Sequence, residues 1–401
     1  MRTNAWRWVS FSSVGALALV AACSAGGDNS LSDDDDPNVG GGHEGGAGDG
    51  GVTFGQGGTG TGESSCFTDP SVDDDNDGFT DEEGDCNDCD PNTNPGAVEV
   101  VTDPMDPASA AADENCDGQI DEAFVTCDEG MGIDDTDPLN AARAIGLCKT
   151  STGPGDWGVV DAAYVRADGS ATTVSRAMGI LADFGSNVTP RRGSAMLGLS
   201  SGFARDAGDP GACGKLSCNH NGEGTPPPGF PQDVPGCSGA TDINDDVGLE
   251  VTLVAPTNAS GYTFDFKFYS FEYPEFVCTL FNDQFITLVD PAPQGSINGN
   301  VTFDSMSNPV SVNIAFFEVC EGCPLGTSEL EGTGFGDWND AGATSWLVTQ
   351  APVEGGEELT IRWAIWDAGD TLWDSTALVD NFNWVADSGE PIDVNTTPIP
   401  K

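Results

Sequence analysis

Asp73, Asp75 and Asp77 stand at alternate positions in SVDDDNDGFTDEEGDCNDCDP (71–91), followed by Gly78, Phe79 and Asp81. In a D-x-D-x-D-G-x-x-D run, oxygens at positions one, three and five and the carbonyl at seven converge on one hard cation. The glycine permits the sharp turn. The expected ligands are therefore Asp73, Asp75, Asp77, the carbonyl of Phe79 and Asp81, with Asp74 pointing away. The stretch holds ten carboxylates in twenty-one residues, and no Lys or Arg occurs between Arg7 and Arg143. At ~5 Å and an effective dielectric of ~20, each carboxylate pair repels by roughly 3 kcal/mol. Either the segment stays extended and solvated, or a cation from outside the chain holds it together.

A weaker copy lies at DENCDGQIDE, with Asp113, Asn115, Asp117, the carbonyl of Gln119 and Asp121 as ligands. Ile120 occupies the place where such loops bury an apolar side chain. An EF-hand would carry Glu where Gly84 stands and would need flanking helices, which the pattern lacks. Calcium is the expected ion. Copper prefers imidazole and soft sulfur, whereas the chain has two histidines, His43 and His220, and the acidic region has only Met105. With GDC at 84–86, NPGAVE at 94–99 and NCDGQIDE at 115–122, residues 70–123 resemble the MopE-like metal-binding motif of secreted bacterial proteins. That motif is itself similar to thrombospondin type 3 calcium repeats. The resemblance implies a small, loop-rich module stabilised by disulfides and calcium.

The bulk composition narrows the partners. With 66 acidic and 13 basic residues and a net charge of -53, the chain cannot build the Lys/Arg surface that nucleic acid requires. Arg2 and Arg7 precede a short, mostly apolar run, Val9 to Ala22, ending VAAC. This resembles a bacterial lipoprotein signal, which implies that residues 1–22 are removed and Cys23 is lipidated. Ser24 after it favours the outer membrane. Residues 23–65 then form a Gly/Asp-rich tether with too little apolar surface to fold. The remaining twelve cysteines fall into two sets of six, Cys66–Cys148 and Cys213–Cys323. In an oxidising compartment they read as two independent disulfide sets. Cys213, Cys218 and Cys237 are then bridged rather than joined with His220 on zinc. Cys320 and Cys323 form a structural pair or partners for Cys278.

These sites need a scaffold, and the pattern beyond about 158 supplies strands. In GYTFDFKFY, Tyr262, Phe264, Phe266 and Phe268 alternate with Thr263, Asp265, Lys267 and Tyr269, which predicts a strand with one buried face. ELTIRWAIW repeats the pattern with Leu359, Ile361, Trp363 and Ile365 inward. Further strand runs are 250–254, 285–289, 310–317, 344–348 and 376–385. The expected fold is mainly β, a jelly-roll-like β-sandwich at 158–387. Before it stand the acidic module at 66–127 and a connector at 128–157 with one helix within 137–148; a C-terminal tail at 388–401 follows. FDFKFYSFEYPEFVCTLFNDQFITLV (264–289), GSAMLGLSSGFA (193–204) and WDAGDTLWDSTALVDNFNW (366–384) resemble the choice-of-anchor L domain. The resemblance implies a surface module whose anchor here is the N-terminal lipid.

Within the sandwich, Glu272, Asp283, Asp370, Asp374 and Asp380 are candidate ligands for a structural calcium, since jelly-roll domains bind such ions where a loop meets the last strand. Glycoside cleavage would need two carboxylates at ~5 Å or ~6.5–9.5 Å, for which Glu272 with Glu275 or Asp380 are the candidates. The favoured reading is a non-enzymatic calcium-binding lipoprotein, exposed at the outer membrane surface and adhering to glycan or matrix. A surface carbohydrate-active hydrolase and a copper or metal acquisition protein are the alternatives.

Overall fold

The computed structural model describes residues 69–101, 111–122, 125–173, 175–218, 221–314, 316–338, 341–387 and 389–400. The signal segment 1–22, Cys23, the tether to 65, Cys66, Met105 and His220 lie outside the described residues. Among the described residues, thirteen strands follow one short α-helix, α1 (Pro138–Ala144). They are β1 (Gly158–Val165), β2 (Met178–Leu181), β3 (Met196–Ser200), β4 (Ile243–Val254), β5 (Ala259–Ser270), β6 (Gln284–Asp290) and β7 (Val310–Ser311). After these come β8 (Phe317–Val319), β9 (Gly342–Thr344), β10 (Leu347–Pro352), β11 (Glu358–Ala368), β12 (Ser375–Ala386) and β13 (Asn395–Pro398). One sheet runs β1-β4-β11-β6-β7. The other runs β13-β10-β5-β12-β3-β2, with β9 pairing β5 and β8 pairing β9. The named strand pairs are antiparallel. The fold is the expected mainly β sandwich.

The aromatic alternation in β5 builds the core between the sheets. Tyr262, Phe264, Phe266 and Phe268 are fully buried together with Ile361, Trp363 and Ile365 of β11 and Phe285 of β6. Phe264 meets Trp363 edge-on at 5.7 Å, and Phe266 meets Phe285 at 5.3 Å. Each such side chain contributes about 1.5–3 kcal/mol on burial. The expectation of one buried face is corrected, because the other face of β5 is covered too. Lys267 is fully buried and gives its ammonium to Glu329 at 2.6 Å. Asp265 pairs with Arg191 at 3.1 Å, and Tyr269 packs on Phe184 and Phe335. β11 behaves alike, with Trp366 packed against Phe230 on its outer side. The apolar run at 310–317 is broken into β7 and β8 by a turn closed by the Ile314 amide on the Ser311 carbonyl.

The connector is part of the sandwich. Asp137 caps α1 by accepting the Leu139 amide at 3.0 Å. Ala141, Ala142, Ile145 and Leu147 join the main core. Buried Asp128 accepts the amides of Ser194 and Ala195. The tail is likewise not loose throughout, since β13 pairs with β10.

The acidic module docks on the β4–β5 turn. Asn258 accepts the Val98 amide at 2.8 Å and returns its own amide to the Val98 carbonyl at 2.9 Å. The Thr257 amide reaches the Gly96 carbonyl at 3.0 Å. A β-carbon on Gly96 would lie 2.8 Å from the Thr257 methyl and 3.0 Å from the Phe79 ring, so the approach requires glycine. No helix among the described residues is long and apolar enough to cross a membrane.

Candidate metal centre and buried carboxylates

The first acidic loop closes on its own amides. Asp73 accepts the amides of Asn76 at 2.6 Å and Gly78 at 3.1 Å. Both donors have left-handed backbones, at φ 67° and 101°. Asp75 accepts the Asp77 amide at 3.2 Å, and Asp77 accepts those of Phe79 at 2.9 Å and the Asn94 side chain at 2.8 Å. Carboxylate oxygens of Asp73, Asp75 and Asp88 lie within 4.8 Å of one another, as do those of Asp75, Asp77 and Asp85. Asp75 belongs to both groups. Asp85 is only 5% exposed, and burial reinforced by Asp77, Asp75 and Asp88 pushes its carboxyl up to about 6. One oxygen each of Asp74, Asp75 and Asp85 is buried without a donor. Unpaired buried oxygens of this kind call for a cation or a proton.

One detail differs from the sequence expectation. Asp81 is exposed at the start of a short 3-10 turn, Asp81–Glu83, and Asp85 and Asp88 approach the cluster instead. Asp74 lies outside both carboxylate groups, as expected, and its Oδ2 is buried. Phe79 contributes its amide to Asp77, and its ring lies against Gly96. Asp85 and Asp88 sit beside Cys86 and Cys89, both disulfide-bonded. Acids flanking the cysteines of GDCNDCD were the available signal.

The second loop repeats the scheme. Asp113 accepts the amides of Asp117 at 3.1 Å and Gly118 at 2.9 Å; Asn115 accepts that of Asp117, and Asp117 that of Gln119. The Gln119 side chain adds a bond to Asp117 at 2.9 Å. Asp121, at φ 54°, gives its amide to Glu99, and Asn115 donates to Glu122, both at 2.8 Å. Glu99 is 7% exposed, and burial and neighbouring Glu122, Glu114 and Asp113 raise its carboxyl. The remaining oxygens of Glu99 and Glu122 are buried without donors. Neither glutamate was among the expected ligands; the conspicuous E of NPGAVE was the missed cue. Ile120, expected inside, is 60% exposed. Cys86–Cys116 ties the two loops together.

The sandwich carries a different acidic group. Antiparallel pairing brings the end of β5, the start of β6, the end of β11 and the start of β12 to one edge. There Glu272, Asp283, Asp367 and Asp374 are all buried. Asp283 accepts the Ala368 amide at 3.0 Å and the Ser375 hydroxyl at 2.6 Å, and gives its own amide to Glu272 at 3.3 Å. Asp374 accepts the Cys218 amide at 2.8 Å. Burial, then mutual repulsion, raises the group. Asp283 is pushed up to about 7 and Asp374 to about 8, while Glu272 and Asp367 also rise. No three of these carboxylates offer oxygens within 4.8 Å of one another; Asp374 groups only with the sulfurs of Cys213 and Cys218, which are bonded to each other. As arranged, this is a proton-holding cluster.

Residues 199–382 match the family model of the choice-of-anchor L domain. The match indicates a surface-associated, β-rich protein. Searches of curated proteins and of solved structures found no match for the chain. The matched segment contains the whole buried cluster, while the acidic loops and α1 precede it. Of the expected sandwich ligands, the domain brings together Glu272, Asp283 and Asp374, with Asp370 acting on the first two through its charge. It adds Asp367. Asp380 belongs to another network, accepting amides from Arg191, Arg192 and Asn381 beside Asp265. The domain's disulfides are Cys213–Cys218, Cys237–Cys278 and Cys320–Cys323; Cys127–Cys148 lies before it. Every bridge whose two cysteines are described stays within its own set.

Proposed function

We propose that this is a calcium-loaded surface lipoprotein, anchored through Cys23 in the outer membrane, whose sandwich makes structural or adhesive contact with glycan or matrix. The observation that carries the calcium reading is the pair of carboxylate groups sharing Asp75, with donor-free buried oxygens on Asp75 and Asp85. An all-oxygen donor set suits a hard divalent ion. Asp73, Asp75, Asp77, Asp85 and Asp88 would hold one or two ions. Asp113, Asn115 and Asp117, with Glu99 and Glu122, would hold another. Copper acquisition has less to use, because the cysteines of the described bridges carry no thiolate. Sugar cleavage by Glu272 and Asp380 is disfavoured by their burial, at 2% and 1% exposure.

Affinity in the extracellular range, ~10⁻⁴–10⁻³ M, is expected. The test is thermal unfolding and limited proteolysis of the full chain in millimolar calcium and in chelator. Chelator should lower the melting temperature and expose residues 70–122 to cleavage; identical curves would sink the calcium reading. Cys23→Ala should release the protein from the membrane fraction, and unchanged membrane association would sink the anchor.

A further inference from the structure

Where the acidic module, the connector and the sandwich meet, the chain leaves a cavity of ≈ 260 Å³. Half-buried Trp157, just before β1, and Trp384, in β12, contribute to its wall. Glu99, and Glu122 of the second acidic loop, also line it. Arg192 lines it too, with its guanidinium held by Asn383 at 2.7 Å. Lys149 fixes Trp157, with its ammonium 4.5 Å from the ring centre and 2.8 Å from Asp156.

We propose that this cavity binds a saccharide, one pyranose ring seated against Trp157 and Trp384 with its hydroxyls directed to Glu99, Glu122 and Arg192. The volume lies below the ~300–1,000 Å³ of sites for drug-sized ligands, which suits a single ring. The lining combines aromatic surface, the carboxylates of Glu99 and Glu122, and the cations of Arg192 and Lys149. A polyhydroxylated ring with an apolar face satisfies all three. An apolar side chain would leave the charged groups of the wall without polar partners, a quaternary ammonium would meet the like charges of Lys149 and Arg192, and a phosphate would meet those of Glu99 and Glu122. The inference rests on the adhesive reading and gives it a place. The hydroxyls meet the glutamates directly or through a calcium ion held between them.

The test is an immobilised panel of mono- and oligosaccharides probed with the full chain, in calcium and in chelator. Trp157→Ala should weaken binding to the best saccharide about tenfold, and Trp157→Phe should recover part of the loss. The calcium-dependent melting shift should persist in both variants, so failure here is distinguishable from failure of the calcium reading. Binding kept in chelator assigns the contact to the side chains directly, and binding lost in chelator assigns it to the calcium-held form of the module. No saccharide bound in either buffer, or Trp157→Ala binding like the parent protein, would overturn the proposal.

Discussion

The loops at 73–88 and 113–122 tie their carboxylates to backbone amides and leave many of them partly open to solvent. Glu272, Asp283, Asp367 and Asp374 are instead sealed at the edge of two packed sheets. Residue type is the same in both regions, but the surroundings differ. In the loops, amides at fixed offsets hold the carboxylates, and in the first loop they leave groups of three with oxygens within 4.8 Å of one another, as the proposed ion site requires. At the sandwich edge, few donors reach the group and desolvation dominates, so the carboxyls hold protons. An acidic cluster thus suits an ion or holds protons according to burial and donor geometry.

The comparison breaks most readily at Asp283. Asp283→Ala leaves the Ala368 amide and the Ser375 hydroxyl without their acceptor, and should cost roughly 2–5 kcal/mol in chemical unfolding. Asp283→Asn, which keeps an acceptor and removes a charge, should stay near the parent protein at pH 8. A large loss for Asn as well would mean the group works ionised, as a metal ligand.

Asp75→Ala should abolish the first loop's share of the stabilisation by calcium, about 2.7 kcal/mol when the ion is at ~100 times its dissociation constant. Asp75 is shared by both carboxylate groups, so no single neighbour should substitute for it. Gly96→Ala should cost about 1–3 kcal/mol by forcing the module off the β4–β5 turn. Proteolysis would register that as faster cleavage within 70–122, even in calcium.

The two regions should also separate by pH. Asp283 and Asp374 titrate at about 7 and 8 when folded, above the ~3.9 of an unfolded aspartate. Folded protein therefore keeps protons that unfolded chain releases. Their contribution is fully present below about pH 4 and is lost as pH rises toward 8. In chelator, stability should fall across that window, while the increment added by calcium should grow as protons leave the loop carboxylates. A calcium increment that shrank with rising pH would contradict the assignment. Asp81→Ala should give the smallest change, within ~0.5 kcal/mol, with the calcium response intact. Asp74 is not a suitable control, because one of its oxygens is buried.

Much of this was legible in the linear chain. Alternate aspartates followed by glycine specify the loop, because local amides at fixed offsets are the donors, and both copies close the same way. Alternating large apolar side chains specify β5 and β11, because side-chain direction has period two. The partition of the described disulfides also agrees with cysteine position. What the sequence left open depends on residues distant in the chain. Asp85, Asp88, Glu99 and Glu122 join the acidic sites because the Cys86–Cys116 bridge and docking on Asn258 fold the module back on itself. Lys267 and Asp265 are buried because partners from 191 and 329 cover the outer face of β5, which no local alternation records. Asp367 joins Asp283 and Asp374 while Asp380 does not, because antiparallel pairing decides which strand ends meet. Local spacing determined the loops and strands by themselves; burial, and with it the charge state of each carboxylate, was decided by the tertiary structure, since desolvation depends on everything packed around a group.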